Sequence, residues 1–420
     1  MDEGRRERVI RDPIHRDIQV PDDVLSLIDT RTFQRLQNIR QLSTCHFVFP
    51  SATHTRFSHS LGAYALAQRL LKRIEMQQPG LISIEDARLV GYAALLHDIG
   101  HPPFSHILET RNVFANYHDH ERWARLILEQ PDNDLRLALL DIIGQSGLRR
   151  LFDIIDGVAY PSALHEIISS QMDVDRLDYL LRDQLFTGAD VGVYDVDRLF
   201  RSICISEGGG LVLSRSGIAA AESYLLTRWH MYLLVYFHKM NILTAEYLKR
   251  ALARARHLAH DGRIELTKPM QNMLLDDELS PESYIELNDN TVLHAIESWR
   301  NNSDDYLSRL CNRLTSRHEF HKRLRLEGMT PKIMEKMMLP LSAEISAAGF
   351  DVGTNLIIAR VSNVGYQPYD GGIMLEDGSD LADSSDVVRA ISKPVLDFMV
   401  FVPAVCRDGC EAIARQYLTQ

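Results

Sequence analysis

The sequence is poor in the features that mark secreted and membrane proteins. Its cysteines are few, odd in number and without a CxxC pair, namely Cys45, Cys204, Cys311, Cys406 and Cys410. This usage excludes a disulfide framework and fits a reducing compartment. The opening segment MDEGRRERVIRDPIH lacks the apolar core of a signal peptide, and no stretch approaches about 18 uninterrupted apolar residues. We therefore expect a cytoplasmic protein with no membrane segment.

An excess of positive charge is also absent. Lys and Arg number 46 against 57 Asp and Glu, which gives a formal net charge of −11. This balance disfavours sequence-independent binding of nucleic acid, which needs basic surface to displace counterions. It leaves room for a local basic pocket that takes a phosphate-bearing small molecule. Hydrophobic residues make up 45% of the 420 positions, enough for one or two globular domains and an appendage.

Helical periodicity dominates the first half of the chain and predicts a mainly α fold. One helix is predicted from Thr55 onward, and a second from Ser83 to about His97, where Gly100 and the following prolines end it. A third is predicted over Glu166–Asp183. We expect these three helices to carry the polar residues that matter for function.

Changes in the residue pattern along the sequence divide the chain into three predicted regions. A helical domain is predicted over 1–260, with a β-hairpin insertion near 200–214, where SICIS and LVLS flank three glycines. A helical extension is predicted over 261–343 and a small α+β appendage over 344–420. In this appendage the segments Asn355–Val361, Gly372–Leu375 and Phe398–Val402 are predicted strands.

A histidine and aspartate constellation is the chemically informative feature. It consists of His59, the doublet His97-Asp98 and the distant Asp175. Two imidazoles and two carboxylates form a mixed nitrogen and oxygen set that suits a divalent ion such as Mn, Fe, Zn or Mg. Such a set leaves coordination positions open for water and a phosphate oxygen. Asp175 lies on an apolar helix face, and a buried carboxylate is strongly unfavourable unless it is paired or bound to metal.

Four longer strings surround these residues, namely His54–Ala63 (HTRFSHSLGA), Leu95–His106 (LLHDIGHPPFSH), His120-Glu121 and Gln171–Asp183 (QMDVDRLDYLLRD). Together they closely resemble the HD-domain deoxynucleoside triphosphate (dNTP) triphosphohydrolases, especially the bacterial branch and the human member with an upstream SAM domain. The resemblance runs from RDPIH at Arg11–His15 to at least Lys239, over half of the chain. Because it begins so early, we expect no SAM-like segment before it.

The resemblance implies an HD-domain helical core and assigns roles to individual residues. The family's metal ligands fall on His59, His97, Asp98 and Asp175, and its catalytic and phosphate-handling histidines fall on His101, His106 and His120. Substrate contacts fall on Arg56, Gln41, Arg176, Tyr179, Asp183, Arg228 and Tyr236. Among them, Arg56 matches an arginine that grips phosphate, and Gln41 and Asp183 match residues that bind the sugar 3′-hydroxyl. Tyr236 is expected to exclude a 2′-hydroxyl.

The family pattern also implies possible regulation, because several relatives are tetramers activated by a guanine nucleotide bound between subunits. Asp29 and Gln34 match two residues of that activator site. Gln37, however, stands where those relatives have an arginine that reads the base, and glutamine lacks the charged fork of arginine. We expect activation to be absent or to use another nucleotide. A homo-oligomer, dimer or tetramer, is expected.

The reaction implied by the resemblance is metal-dependent hydrolysis at the α-phosphorus of a dNTP, which releases deoxynucleoside and intact triphosphate. Two alternatives stay open: the same centre acting on another phosphoester, a deoxynucleoside monophosphate or single-stranded nucleic acid, and a non-catalytic nucleotide sensor. The acidic balance disfavours long polymers, and the matched triphosphate contacts disfavour a monophosphate. The complete ligand set disfavours a sensor.

Overall fold

The computed structural model describes residues 8–326, 329–369 and 371–418, and it confirms a mainly helical architecture. The α-helices span Asp22–Ile28, Arg31–Gln34, Arg56–Gln77, Ile84–Leu96, His120–Glu129, Asp134–Ile155, Ala163–Glu166, Val174–Thr187, Val196–Ser202, Ile218–Met231, Lys239–His260, Lys268–Leu275, Pro281–Ile285, Asp289–Ser298, Asp305–Ser316, Pro331–Ala347, Val352–Asn355, Leu381–Ser384, Asp386–Ile391 and Arg407–Leu418. Short 3-10 turns cover Arg35–Asn38, Cys45–Phe47, Ser105–Ile107, Arg215–Gly217 and Ala404–Cys406, and a π-helix covers Tyr232–Tyr236.

Three helices form the centre of the molecule. The helix Arg56–Gln77 packs against both Ile84–Leu96 and Val174–Thr187. It approaches the latter closely at Gly62, because a Cβ there would overlap the side chains of Asp178 and Arg182. These three helices are the ones that the sequence predicts to carry the site.

The third of these helices is shorter than its sequence predicts. It begins at Val174 and not near Glu166, because the side chain of Asp173 accepts a hydrogen bond from the backbone N–H of Arg176 and caps it. Glu166 instead ends the separate short helix Ala163–Glu166. The prediction for the second helix agrees with the structure, where the Ser83 side chain caps a helix that extends to Leu96.

The strands form three small antiparallel sheets. The hairpin predicted near 200–214 is present as Ile203–Ile205 paired with Leu211–Leu213. A further hairpin, Arg8–Asp12 with Arg16–Val20, was not predicted. In the third sheet the central strand Val395–Val402 pairs with Lys322–Arg323 on one side and with Ile357–Asn363 on the other.

The prediction of a strand at Gly372–Leu375 is wrong. Within the described residues this segment makes isolated bridges, Leu213 with Leu375 and Met374 with Asp380, and no continuous ladder. The chain turns sharply at Gly378, where φ is +81°, and the residues on the two sides of this turn form only the single bridge between Met374 and Asp380.

The C-terminal sheet separates two hydrophobic cores, as the alternation of its side chains requires. Met399 and Phe401 belong to the main core, which extends through the helical part of the chain. Val400 and Val402 face a smaller core between the helices Pro331–Ala347 and Arg407–Leu418. Across the described ranges, none of the helices combines the length and the apolar character needed to cross a bilayer.

Candidate metal centre

Four predicted ligands reach one point from three different elements. His59 lies in the first turn of the helix Arg56–Gln77. His97 is the C-terminal cap of Ile84–Leu96, and Asp98 follows it directly. Asp175 is the second residue of Val174–Thr187, beside the cap of that helix. The packing of the three helices therefore brings together residues that are far apart in the chain.

The ligand atoms of these residues converge at short range. His59 Nε2 lies 3.2 Å from His97 Nε2 and 3.0 Å from Asp175 Oδ1. Asp98 presents Oδ2 at 3.7 Å from His59 Nε2 and Oδ1 at 3.3 Å from His97 Nε2. His97 Nε2 lies 3.7 Å from Asp175 Oδ1. His59, His97 and Asp98 offer ligand atoms within 4.8 Å of one another, and Asp175 approaches both histidines from the third helix. Two imidazoles and two carboxylates form a mixed set that suits a divalent cation.

The second ring nitrogen of each histidine supports this interpretation. His59 Nδ1 donates to Asp178 Oδ2 at 2.7 Å, and His97 Nδ1 donates to the carbonyl of Ala94 at 2.8 Å. With the Nδ1 protons engaged, release of any Nε2 proton on metal binding would leave the lone pairs of both Nε2 atoms directed toward the common point. Metal-binding histidines are held in this way by carboxylates or backbone carbonyls. The residues present thus fit a divalent ion.

Asp178 is the hub of a buried network behind the ligands. Its carboxylate also accepts from His15 Nε2 at 2.6 Å and receives two hydrogen bonds from Arg182, each of 2.9 Å. Arg182 extends the network to Asp12 Oδ2 at 2.8 Å. Asp178 and His15 lie inside the family motifs but were not predicted to be functional, because neither contacts the common point itself.

Burial and charge together set the protonation of the ligands. Burial lowers the pKa of His59, but the hydrogen bonds to Asp175 and Asp178 outweigh it and raise that pKa to about 10. Burial raises the pKa of Asp98, yet the Arg56 guanidinium, whose Nη1 lies 2.7 Å from Asp98 Oδ2, holds it well below its usual range. Burial also raises the pKa of Asp175, but the hydrogen bonds to His59 and His97 outweigh it and lower that pKa. Both carboxylates are therefore ionised at neutral pH.

The three predicted catalytic histidines form a second cluster beside the metal centre. The ring of His101 stacks on that of His120 at 4.1 Å between centroids, and His106 lies edge-on to both. One ring nitrogen from each lies within 4.8 Å of the others. Glu109, for which the sequence predicts no role, accepts from His106 Nδ1 and from His120 Nδ1 at 2.8 Å each. A carboxylate thus orients two of the three rings.

The glycine before His101 is required for this arrangement. A Cβ at Gly100 would overlap the backbone carbonyl of His120 and the backbone of Ala124. Backbone atoms cannot move aside as the end of a flexible side chain can. The loop can therefore place His101 against the start of the helix His120–Glu129 only because residue 100 lacks a side chain.

The cluster contains imidazoles with opposite pKa shifts. Burial and the nearby Arg56 hold the pKa of His101 well below its usual value, so this ring is neutral at pH 7. Burial also lowers the pKa of His120, but its hydrogen bond to Glu109 outweighs this and raises it. The Glu109 pKa is lowered, because the bonds to both histidines outweigh its burial. A neutral ring and a more basic ring thus stand face to face.

The residues predicted to bind the sugar also contact one another. Asp183 accepts from His54 Nε2 and from the Tyr236 hydroxyl, each at 2.7 Å. The ring of Tyr179 lies 6.5 Å from that of Tyr236 and 6.4 Å from that of His59. Gln41 shares backbone pairing with His54, whose carbonyl accepts its N–H at 3.0 Å. Tyr179 therefore connects the metal centre to the Asp183 side.

Arg176 and Arg228, the two remaining arginines predicted to bind substrate, are held by hydrogen bonds close to the start of the helix Val174–Thr187. Arg176 Nη1 donates to the carbonyl of Ser170 at 2.6 Å and to the Asp173 carboxylate. Arg228 Nη1 donates to Gln171 Oε1 at 2.7 Å. Burial lowers the pKa of Arg228, and the neighbouring tyrosines outweigh this and raise it. Both guanidiniums are thus charged, Arg176 lying on the helix Val174–Thr187 and Arg228 being held to Gln171 just before it.

Comparison with known proteins agrees with this geometry. The HD domain model matches residues 56–183, and the HD associated region model matches residues 194–268. The uncharacterized protein YwfO of Bacillus subtilis is 31% identical over 94% of this chain and 92% of its own length. The chain belongs to the HD-domain phosphohydrolase family. Members of this family are metal-dependent hydrolases.

Two other relatives of this phosphohydrolase and one solved structure are informative. The deoxynucleoside triphosphate triphosphohydrolase SAMHD1 homolog of Dictyostelium discoideum is 31% identical over 70% of this chain, which spans 55% of that relative's length. The human protein of that name is 29% identical over 69% of this chain, which spans 51% of it. A crystal structure of a phosphohydrolase from Bacteroides thetaiotaomicron superposes with a TM-score of 0.81 at 28% identity, covering 94% of this chain and 99% of that one.

Several buried polar atoms on the predicted substrate side have no hydrogen-bond partner among the residues that the structure describes. They are Gln41 Oε1, His54 Nδ1, His101 Nε2 and Arg228 Nε. His101 Nδ1 lies 3.1 Å from Asp98 Oδ1 but out of line for a hydrogen bond. Buried polar groups are normally satisfied by protein, water or ligand. Gln41 and Arg228 are predicted substrate residues and His101 is a predicted catalytic residue, so their unpartnered atoms are consistent with a polar ligand in the site.

The residues expected to contact an activating nucleotide lie on a separate segment. Asp29 is the exposed cap that ends the helix Asp22–Ile28. Gln34 donates from Nε2 to the carbonyl of Ile28 at 2.8 Å, and Gln37 donates to Gln34 Oε1 at 2.5 Å. The side chain of Gln34 is thus already engaged on both sides. Nucleotide binding here stays a prediction.

A basic cleft lies elsewhere on this acidic phosphohydrolase. It has a volume of about 1160 Å³, and its lining includes Lys239, Arg317, Lys322, Arg325 and Arg407. Glu319 adds one carboxylate to that lining. The cleft shows that a net charge of −11 does not prevent local concentration of cations, as the sequence argument allowed.

Proposed function

We propose that this phosphohydrolase converts dNTPs to deoxynucleoside and inorganic triphosphate. The observation that carries the proposal is the convergence of His59, His97, Asp98 and Asp175 next to a cluster of histidines and arginines. A divalent ion held by nitrogen and oxygen ligands suits hydrolysis of a phosphoester. The positively charged side chains beside it suit a substrate with several negatively charged phosphates. The relatives named as dNTP triphosphohydrolases, at about 30% identity, point to the same substrate class.

In this proposal, different residues bind the phosphates and stabilise the charge that develops on them. When bound, a divalent cation would supply Lewis-acid activation of water and of a phosphoryl oxygen. Arg56, Arg176 and Arg228 would neutralise the triphosphate and spread the charge that develops in the transition state. His120, with its raised pKa, would hold a phosphate oxygen as an imidazolium. Neutral His101 has an unpartnered Nε2 that is available to donate to or accept from substrate.

His106 is the proposed general acid. Hydrolysis adds water to the α-phosphorus and breaks the bond between that phosphorus and the 5′-oxygen, which must gain a proton. His106 donates from Nδ1 to Glu109, so its Nε2 is the atom able to deliver a proton. Its side chain is 67% exposed, and it can therefore be reprotonated from solvent while the attacking water loses its proton to solvent.

Recognition of the deoxyribose is proposed for Gln41, Asp183 and Tyr236. The buried and unpartnered Gln41 Oε1 would accept from the 3′-hydroxyl, next to the Asp183 carboxylate. Tyr236 is fixed by its hydrogen bond to Asp183 and stacks edge-on with Tyr232, which limits its freedom to move away from a 2′-hydroxyl. Deoxynucleotides should therefore be preferred over ribonucleotides.

The test is a substrate panel with product analysis. Protein reconstituted separately with Mn, Fe, Zn or Mg is incubated with each dNTP, alone and in mixtures, and with ribonucleotides, deoxynucleoside monophosphates and a labelled single strand. We expect deoxynucleoside and intact triphosphate from dNTPs. Mixtures are included because one nucleotide can activate hydrolysis of another.

Each other outcome of the panel points to a defined alternative. Free phosphate or pyrophosphate in place of triphosphate would reject the proposed cleavage position. Turnover of a monophosphate or of the single strand, with dNTPs inert, would assign the centre to another phosphoester. Tight dNTP binding without turnover under every metal would favour a nucleotide sensor.

A further inference from the structure

The loop between the metal ligand Asp98 and the turn Ser105–Ile107 carries His101 and has an unfavourable backbone. Phe104 and Ser105 are consecutive non-glycine residues with φ of 54° and 51°. This left-handed region is disfavoured for L-amino acids with a Cβ. A loop with such a conformation must be held by contacts from outside itself.

Those contacts come from residues 284–289, in the helical extension more than 180 positions downstream. The Tyr284 hydroxyl donates to the carbonyl of Gly100 at 2.6 Å. Asp289 Oδ1 accepts from the backbone N–H of Phe104 at 2.7 Å, and its Oδ2 accepts from that of Arg40 at 3.0 Å. Both side chains are buried. The extension thus binds the loop on both sides of its two prolines.

Arg35 joins the two segments. Its buried guanidinium donates from Nε to the carbonyl of Leu287 at 2.7 Å and from Nη2 to the carbonyl of His101 at 2.8 Å. A longer contact of 3.3 Å reaches the carbonyl of Ile99. A buried cation that is satisfied mainly by backbone carbonyls is costly, so its geometry is under strong constraint. One side chain therefore fixes the extension and the His101 backbone together.

Tyr284 also connects to the second histidine element. Trp123 stacks on its ring at 3.9 Å with an interplanar angle of 12°, and the Arg35 guanidinium lies 5.1 Å from the ring centroid. Trp123 belongs to the helix His120–Glu129, of which His120 is the first residue. The same tyrosine therefore contacts the loop of His101 and the helix of His120.

We propose that Tyr284, Asp289 and Arg35 form a positioning clamp that sets His101 against His120. They are positioning residues, since each acts through backbone or through another ring and none needs to touch substrate. The catalytic consequence rests on the proposed function, whereas the fixing of the loop does not. The helical extension would then be part of the working site.

The experiment compares Tyr284→Phe with Tyr247→Phe as a matched control. Tyr247 is also fully buried, and its hydroxyl lies 2.7 Å from His321 Nδ1 and accepts from the backbone N–H of His321 at 2.9 Å, so the control removes at least as much buried hydrogen bonding as Tyr284→Phe. Three quantities are measured in the full-length, metal-loaded protein: deuterium exchange of the amides of residues 99–105, kcat and KM for dNTP hydrolysis, and metal content. Asp289→Asn is a second clamp variant in case Tyr284→Phe does not fold.

For Tyr284→Phe we expect faster exchange at His101, Phe104 and Ser105, whose amides are all hydrogen-bonded in the structure. We expect kcat to fall about 10-fold or more with KM changed less than about twofold, because small misplacements of catalytic groups are costly. Metal content should be unchanged. Tyr247→Phe should show neither the exchange effect nor the loss of kcat.

Unchanged exchange in residues 99–105 of both clamp variants would overturn the clamp. An equal loss of kcat in Tyr247→Phe would also overturn it, since the effect would then be general destabilisation. If the wild-type protein hydrolyses no dNTP, the exchange measurement still decides the clamp, and that failure belongs to the proposed function alone.

Discussion

The pentapeptide DVDRL occurs twice in the chain, at 173–177 and at 195–199. In both copies the first aspartate caps a helix by accepting from the arginine N–H, Asp173 from Arg176 and Asp195 from Arg198. The second aspartates of the two copies, Asp175 and Asp197, have different surroundings. Asp175 lies 3.0 Å from His59 Nε2, whereas Asp197 is exposed and pairs with Arg69. Local sequence sets the start of the helix, and tertiary packing decides which carboxylate lies beside the two histidines of the candidate metal centre.

The sequence motifs predict some residues of the candidate site and not others. The four converging residues and the three clustered histidines were all named from the longer motifs. Asp178 and Glu109 were missed, because each acts by orienting a histidine and a carboxylate in a motif does not reveal which ring it faces. The spacing of Asp178 and Arg182, four apart on one helix, was the available signal.

Replacing Asp178 with Asn should weaken metal binding. The substitution keeps an acceptor for His59 but removes the charge that raises the basicity of its ring, so we expect affinity about 10- to 100-fold lower. Competition with a chelator at fixed pH measures it. Asp197→Asn, on the copy of the pentapeptide that faces solvent, is the control. Equal affinities in the two variants would contradict this role.

Replacing Glu109 with Gln should shift the pH dependence of turnover. The hydrogen bond to Glu109 raises the pKa of His120, so its loss lowers that pKa. The imidazolium that is proposed to hold phosphate would then deprotonate at lower pH. We therefore expect the alkaline limb of the kcat/KM profile to move to lower pH, with the acid limb little changed. A shift to higher pH, or no shift, would contradict it.

At the scale of elements, periodicity located the helices but not their ends. The third site helix was predicted to start near Glu166, but its start is set by the Asp173 cap, so the preceding apolar residues belong to turns. Strand prediction was weaker still. Gly372–Leu375 makes only isolated bridges within the described part of the chain, because strand pairing depends on residues distant in the sequence. The neighbours of a strand in a sheet are set by the tertiary fold and cannot be predicted from the strand's own sequence.

The close approach of two site helices predicts an unusual effect of Gly62→Ala. Glycine to alanine inside a helix normally stabilises by about 1 kcal/mol. At Gly62 the new methyl group would overlap the Asp178 and Arg182 side chains, which other hydrogen bonds hold in place. We expect destabilisation of about 1–3 kcal/mol and weaker metal binding.

Gly91→Ala is the matched control for this prediction. Gly91 also lies inside a site helix, but its new Cβ would meet mainly the flexible end of Gln68. We expect its thermal midpoint and metal affinity to stay near those of the wild type. If Gly62→Ala were as stable as Gly91→Ala and bound metal equally, the helix packing would not constrain the ligands as described.

At the scale of the whole molecule, the mainly helical class followed from the sequence, while the relation between the regions did not. The C-terminal sheet contributes one face to the main core and the other to a small core. The helical extension reaches back to the loop of His101 through Tyr284 and Asp289. Such contacts join residues that no local pattern relates, so the three predicted regions could not be placed against one another beforehand.

The most direct test of the central claim is bound metal and turnover measured together in Asp175→Ala, with Asp197→Ala as the control from the duplicated pentapeptide. Loss of one of four ligands should lower metal content and reduce turnover by more than about 100-fold. The Asp197 variant should match the wild type in both. An Asp175→Ala protein that kept its metal and its full turnover would contradict the account.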